Sequence, residues 1–107
     1  MGLKIQLYYT PECPKDPIIK DLKDVLSELG VKDYEIEEIM LANDYEAKQH
    51  RVMGVPTIRI NGEDLDPHFE DRGEYKASCT RLYKWKGSLY DRPPKEMIKE
   101  RLASVLK

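Results

Sequence analysis

Residues 7–17 read LYYTPECPKDP, and they mark a joint between two kinds of local order. Upstream, LKIQLYY (residues 3–9) alternates apolar and polar side chains and then turns aromatic, the pattern of a strand whose second half is buried. Downstream, Ile18, Ile19, Leu22, Val25, Leu26 and Leu29 fall at helical spacing, and Gly30 supplies a C-terminal stop. Cys13 therefore stands where a strand gives way to a helix, between Pro11 and Pro14. Asp16 followed by Pro17 reads as an N-cap and a first helical residue, which sets Cys13 slightly ahead of the helix.

Working outward, YEIEEIM (residues 34–40) fits a second strand. Asn43 and Asp44 offer caps for a short second helix running through about Val52, with Gly54 breaking it. Val55, Ile58 and Ile60 then lead into Asn61-Gly62, a strong hairpin signal that yields a third and a fourth strand. Residues 68–92 hold Phe69, Tyr75, Cys79, Tyr83, Trp85 and Tyr90 without a clear period, as expected of a long irregular insertion, and such loops in compact domains tend to be functional. After Pro93-Pro94, the residues Met97, Ile98, Leu102, Val105 and Leu106 line one face of a last helix. The expected chain is a single α/β domain over 1–107 with the order β-α-β-α-β-β-α. The first βαβ unit requires a parallel pair and the Asn-Gly turn an antiparallel one, hence a four-stranded mixed sheet flanked by helices.

Length and charge narrow the function. The chain has 107 residues, room for one core, and 18 basic side chains stand against 20 acidic ones. This near balance argues against a dedicated nucleic-acid or membrane binder. The run Tyr83-Lys84-Trp85-Lys86 fits core packing or a docking surface better than base stacking. The N-terminus MGLKIQLYYT lacks the basic and long apolar regions of a leader, and a cytoplasmic address is expected. Two cysteines far apart in a reducing compartment point away from a constitutive staple, leaving catalytic, redox-sensing and merely buried roles. Cys13, Cys79, His50 and His68 match no compact ligand spacing, so no metal site is expected.

The element order is that of the thioredoxin fold, and two motifs sharpen the resemblance. Leu7-Tyr8-Tyr9-Thr10-Pro11-Glu12-Cys13-Pro14 resembles the strand, loop and Cys-Pro start of a glutaredoxin site. Val52-Met53-Gly54-Val55-Pro56-Thr57 is similar to the segment that carries a cis-proline opposite the reactive cysteine in thioredoxin-like proteins, and the resemblance implies a cis bond before Pro56. More narrowly, the whole chain resembles a family of small prokaryotic thioredoxin-like proteins, some with selenocysteine at the reactive position. Ser78-Cys79-Thr80-Arg81-Leu82-Tyr83 is similar to a stretch before that family's final helix.

In such a fold the joint delivers Cys13 to a helix start, where free N–H groups and the positive end of the helix dipole favour a thiolate. Lys15 adds a positive charge nearby, while Glu12 and Asp16 oppose it. The dithiol form of the site needs a second cysteine three residues on, but that position is Asp16, and an aspartate cannot resolve a mixed disulfide. Cys79 is the candidate remote resolving cysteine, if the insertion folds back over the site; otherwise it is packed and inert. The function expected is thiol–disulfide oxidoreduction on a protein or small-molecule disulfide. Cys13 acts as nucleophile, and Thr10, Pro11, Pro14, Val55, Pro56 and Thr57 bind substrate, with Tyr9 at the rim. No resident cofactor is expected, and glutathione or another small thiol is the candidate reductant. The alternative is a non-catalytic module that uses the same edge to hold a protein partner or a soft metal ion.

Overall fold

In the computed structural model, which describes residues 2–13 and 15–106, strand β1 (Leu3–Tyr9) is the axis of the sheet. Its alternation turns Leu3, Ile5 and Leu7 to one face and Tyr8 to the other, all of them buried. Strand β2 (Tyr34–Met40) pairs with β1 in parallel, Leu3 facing Tyr34 and Tyr9 facing Met40. Strand β3 (Thr57–Ile60) lies antiparallel on the other side, and β4 (Glu63–Asp64) pairs antiparallel with β3. The order β2-β1-β3-β4 is the four-stranded mixed sheet that the sequence predicts, and with three helices it makes a thioredoxin-like α/β fold. The turn between β3 and β4 has both central residues at positive φ, 52° at Asn61 and 87° at Gly62, the conformation that an Asn-Gly pair tolerates best.

Helices α1 (Asp16–Glu28) and α3 (Lys95–Val105) cover the Leu3–Ile5–Leu7 face. Ile18, Leu22, Val25 and Leu26 from α1 meet Met97, Ile98 and Leu102 from α3 in the main core; side chains of this size each gain about 1.5–3 kcal/mol on full burial. Leu106, expected on that face, is 44% exposed, because the helix closes at Val105 and Leu106 is its cap. On the opposite face Tyr8, Leu41, Ala47, Val52 and Val55 form a second, smaller cluster with helix α2 (Asp44–His50). Asn43 caps α2 by accepting the Glu46 N–H at 3.0 Å. Asp44 does not share in this; its carboxylate accepts the Ala77 N–H at 2.8 Å. The helix also ends earlier than Val52, at Arg51, whose φ of 57° is left-handed, so Gly54 is not its breaker.

The 68–92 stretch is less irregular than its sequence suggests. It contains a hairpin of β5 (Tyr83–Trp85) and β6 (Ser88–Tyr90), turned by Lys86 and Gly87 at positive φ. Tyr83 is the anchor. Fully buried in the main core, it donates its hydroxyl to the Pro56 carbonyl at 2.6 Å. Burial holds its phenol above the ordinary value of 10.0, against the opposing pull of the Arg81 charge. Its folded pKa is raised, so the stability it lends is whole below the unfolded value and is lost as pH rises through the folded one.

Tyr83→Phe is therefore expected to lower stability by about 1–2 kcal/mol at neutral pH, since the buried Pro56 carbonyl loses its donor. It should also remove a component of alkaline unfolding above about pH 10. Denaturant titrations of both proteins across that pH range check both statements.

Candidate active site

The turn that carries Cys13 is closed by its own backbone, the Cys13 N–H donating to the Thr10 carbonyl at 3.0 Å. Pro11 and Glu12 project to solvent at the tip. The helix then begins one residue earlier than the sequence implies. The Lys15 carbonyl accepts the N–H groups of both Ile18 and Ile19 at 3.0 Å, which makes Lys15 the N-cap and moves Asp16 and Pro17 inside the first turn. Among the described residues no side chain caps this end, so the expectation that Asp16 does so is corrected. Pro14 lies outside the described residues.

Cys13 is joined by a disulfide to Cys79, 66 positions away, with the two Cα atoms 5.6 Å apart, inside the range such bonds require. Of the two readings of Cys79, the returning one is the one realised. Cys13 is half-buried against the second cluster with Ala77, and Cys79 is exposed. Asp16, where a neighbouring cysteine would stand, has its side chain 87% exposed.

What brings Cys79 back is a strand-like run laid along the edge of the Val52–Thr57 segment. Lys76 N–H donates to the Val52 carbonyl at 2.9 Å, Gly54 N–H to the Lys76 carbonyl at 2.9 Å and Val55 N–H to the Ser78 carbonyl at 2.8 Å. Arg81 N–H closes the run on the Val55 carbonyl at 3.3 Å, an oxygen that also lies 3.9 Å from Cys13 Sγ. The Val55–Pro56 bond is cis, as the resemblance implied. Gly54 lets the two backbones approach, because at φ 99° it is left-handed and a Cβ there would stand 2.8 Å from Thr80 Oγ1 and 3.2 Å from Arg81 N.

Arg81 fastens the run from beneath. Its guanidinium forks onto the Asp64 carboxylate at 2.6 and 2.9 Å and donates to Thr57 Oγ1 at 3.3 Å. The rings of Phe69 and Tyr83 lie 4.7 and 4.5 Å from it. Both partners of the pair are 8% exposed. Burial, the largest influence, works against the guanidinium charge, but the Asp64 hydrogen bonds together with the nearby Tyr83, Asp64 and Asp66 charges outweigh it, so the pKa stands above its ordinary value. Removing one partner of a buried pair of this kind costs about 3–5 kcal/mol.

The other predicted residues divide. Thr10 is buried with its hydroxyl unpartnered among the described residues, and Val55, Pro56 and Thr57 are buried, with the Val55 N–H and carbonyl, the Pro56 carbonyl and the Thr57 hydroxyl engaged by residues 78–83. Lys15 does not present a loose charge to Cys13. It pairs with Glu38 at 2.7 Å, and this hydrogen bond, chief among several causes, raises its pKa. Beside the disulfide, a groove of about 350 Å³ is lined by Cys13, Pro17, Ile18, Pro56, Asp91 and Arg92. Arg81 and Asp64, which hold the site together, were given no part by the sequence reading. The available signal was a lone arginine two residues from Cys79 with acids just past the Asn-Gly turn.

The sheet order, the cis-proline loop and a cysteine bonded at the strand-to-helix joint define a thioredoxin-like protein with a disulfide pair. In agreement, the chain is 34% identical over 62 residues to a thioredoxin of Methanocaldococcus jannaschii, an alignment covering 57% of this chain and 73% of that protein. A family model described as "Domain of unknown function (DUF2703)" matches residues 15–101, and the chain belongs to that family. The matched span takes in Cys79 and begins two residues after Cys13. Among the described residues no helix is long and apolar enough to cross a membrane.

Two outcomes test the assembly. Gly54→Ala is expected to cost about 1–3 kcal/mol, since it adds a side chain at left-handed φ, and to slow closure of the disulfide, read by thiol titration after reduction. In the parent, reduction is expected to lower stability to denaturant by as much as about 4 kcal/mol, the chain-entropy value for a loop of this length. Paired unfolding curves with and without reductant check that.

Proposed function

We propose that this protein is a thiol–disulfide oxidoreductase in which Cys13 is the nucleophile and Cys79 the remote resolving cysteine. The observation that carries the reading is the bond between these two residues across 66 positions, at the joint where thioredoxin-like proteins hold a reactive thiol. The similarity to a protein named thioredoxin supports it. In the dithiol form, the Cys13 thiolate attacks a disulfide and forms a mixed one, and Cys79 then displaces the bound sulfur. Position ahead of a helix N-terminus favours the thiolate. The Thr10-Pro11 turn, with Tyr9, forms the rim of the site, and Val55, Pro56 and Thr57 form its floor. The wider assignment places the chain in the glutaredoxin-like branch, near the small prokaryotic proteins that in some members carry selenocysteine. A low-molecular-weight thiol such as glutathione serves as reductant in a cytoplasmic setting, and neither a metal nor a bound cofactor takes part.

After reduction, Cys13 is expected to alkylate at mildly acidic pH well ahead of a thiol in a model peptide, and Cys13→Ser to abolish reduction of a small disulfide. Cys79→Ser should keep the first step, leave a mixed disulfide on Cys13 visible by mass, and slow turnover roughly tenfold or more, because the tethered thiol is lost. Alkylation at the model rate, with no reductase activity in the parent, sinks the reading.

A further inference from the structure

We propose that residues 76–81 are a resident occupant of the Val52–Val55 edge, held there by Arg81 as a positioning residue. Cys13 then exchanges with small disulfides and thiols, while extended cysteine-bearing polypeptides are shut out. The inference rests on the exchange reading above and names its substrate class.

An extended polypeptide binds beside such a loop by adding a strand, trading main-chain hydrogen bonds with it. Here the groups needed for that are already spent. The N–H groups of Gly54 and Val55 and the carbonyls of Val52 and Val55 are paired with Lys76, Ser78 and Arg81. No second chain fits between the run and Gly54, because even a Cβ on Gly54 would meet Thr80 Oγ1 at 2.8 Å and Arg81 N at 3.2 Å. None of these bonds involves sulfur, and neither does the Arg81 fork on Asp64 at 2.6 and 2.9 Å. The occupant therefore stays when the disulfide opens. Among the described residues, a groove of about 350 Å³ beside Cys13 stays open, running between Pro17, Ile18 and Pro56 to Asp91 and Arg92. A small thiol fits there, while the edge on which a strand would pair is already taken.

The chemistry balances with small reagents alone. The Cys13 thiolate attacks one sulfur of RSSR′; the Cys13–SR bond forms, the S–S bond breaks, and R′S⁻ leaves and takes a proton from water. The Cys79 thiolate then attacks Cys13 Sγ, the Cys13–SR bond breaks and RS⁻ departs. The protein dithiol is oxidised by two electrons and the disulfide is reduced to two thiols. A low-molecular-weight thiol runs the same steps backward to restore the dithiol.

The test uses the full chain carrying Cys79→Ser, so that only the first step is read, and two thionitrobenzoate mixed disulfides with the same leaving group. One is made with 2-mercaptoethanol and the other with an unstructured cysteine peptide. In Cys79→Ser the small reagent is expected to release thionitrobenzoate at least about tenfold faster, a ratio equal to one or two main-chain hydrogen bonds. Adding Arg81→Met should raise the peptide rate relative to the small one by a similar factor, with Arg81→Lys recovering part of the original ratio. A merely destabilising change would move both rates together and leave their ratio alone. Should Arg81→Met fail to fold, Asp64→Asn takes its place. Independently, the Gly54 and Val55 amides should remain protected from hydrogen exchange in Cys79→Ser. Equal rates for the two reagents in Cys79→Ser, or free exchange of those amides, overturns the proposal. Silence of both reagents in every folded variant brings down the exchange reading itself.

Discussion

The buried ion pair between Arg81 and Asp64 is the constraint on which the rest of the site depends. Asp64 ends β4, immediately after the Asn-Gly turn, and so belongs to the sheet; Arg81 belongs to the run that carries Cys79. A guanidinium and a carboxylate removed from water are tolerated only when their hydrogen-bonding capacity is met. Here the fork on Asp64, the Thr57 hydroxyl and the two flanking rings meet it together. The pair has one geometry in which all of this holds, and that geometry fixes Cys79, two residues away, over Cys13. A hydrophobic residue at position 81 could fill the same space but would not specify the register of the run along Val52–Val55. Planarity and the fork select arginine over lysine at such a position.

The same reasoning explains why the segment after Gly54 is saturated. The Val52 and Val55 carbonyls, the Gly54 and Val55 N–H groups, the Pro56 carbonyl and the Thr57 hydroxyl are each answered from within, by Lys76, Ser78, Arg81 or Tyr83. Lys15 is likewise committed, to Glu38 on β2. The charges on the wall of the groove beside the disulfide are Asp91 and Arg92, of opposite sign. Much of the site's electrostatics is thus internal bracing, and comparatively little faces outward.

Much of the sheet was legible because its signals are local. LKIQLYY and YEIEEIM become strands with the expected bounds, since period-two alternation and β-branched residues act within a few positions. Asn61-Gly62 makes its hairpin for an equally local reason. The errors fall where the decisive partner is far off or the local cue is unusual. Asp16-Pro17 has the look of a cap, yet the carbonyl that opens the helix is that of Lys15, and Asp16 turns to solvent. Lys86-Gly87 turns a hairpin although lysine is a poor choice at positive φ, so β5 and β6 were read as loop. At the site, the count of two cysteines and the missing neighbour pointed to Cys79, but position alone left its pairing open. The contacts that decide the pairing join residue 54 to 80, 57 to 81 and 64 to 81, and no periodicity reports such separations.

A disulfide partner that returns from 66 positions away differs physically from one three residues along the same helix. The adjacent arrangement closes a short loop at little entropic expense, whatever the rest of the fold does. The remote one must close a long loop, and the cost of closure grows as the logarithm of its length. In this protein the backbone bonds of residues 76–81 and the Arg81 fork, none of which involves sulfur, offset that cost. Bond formation then requires little more than the freezing of two short side chains. By linkage, stabilising the docked run shifts the dithiol–disulfide balance toward the disulfide only to the extent that the run undocks in the dithiol, and closing the disulfide stabilises the docked run in return. Disulfide closure and the docking of residues 76–81 are in this sense coupled, through a run that an ion pair without either sulfur holds in place.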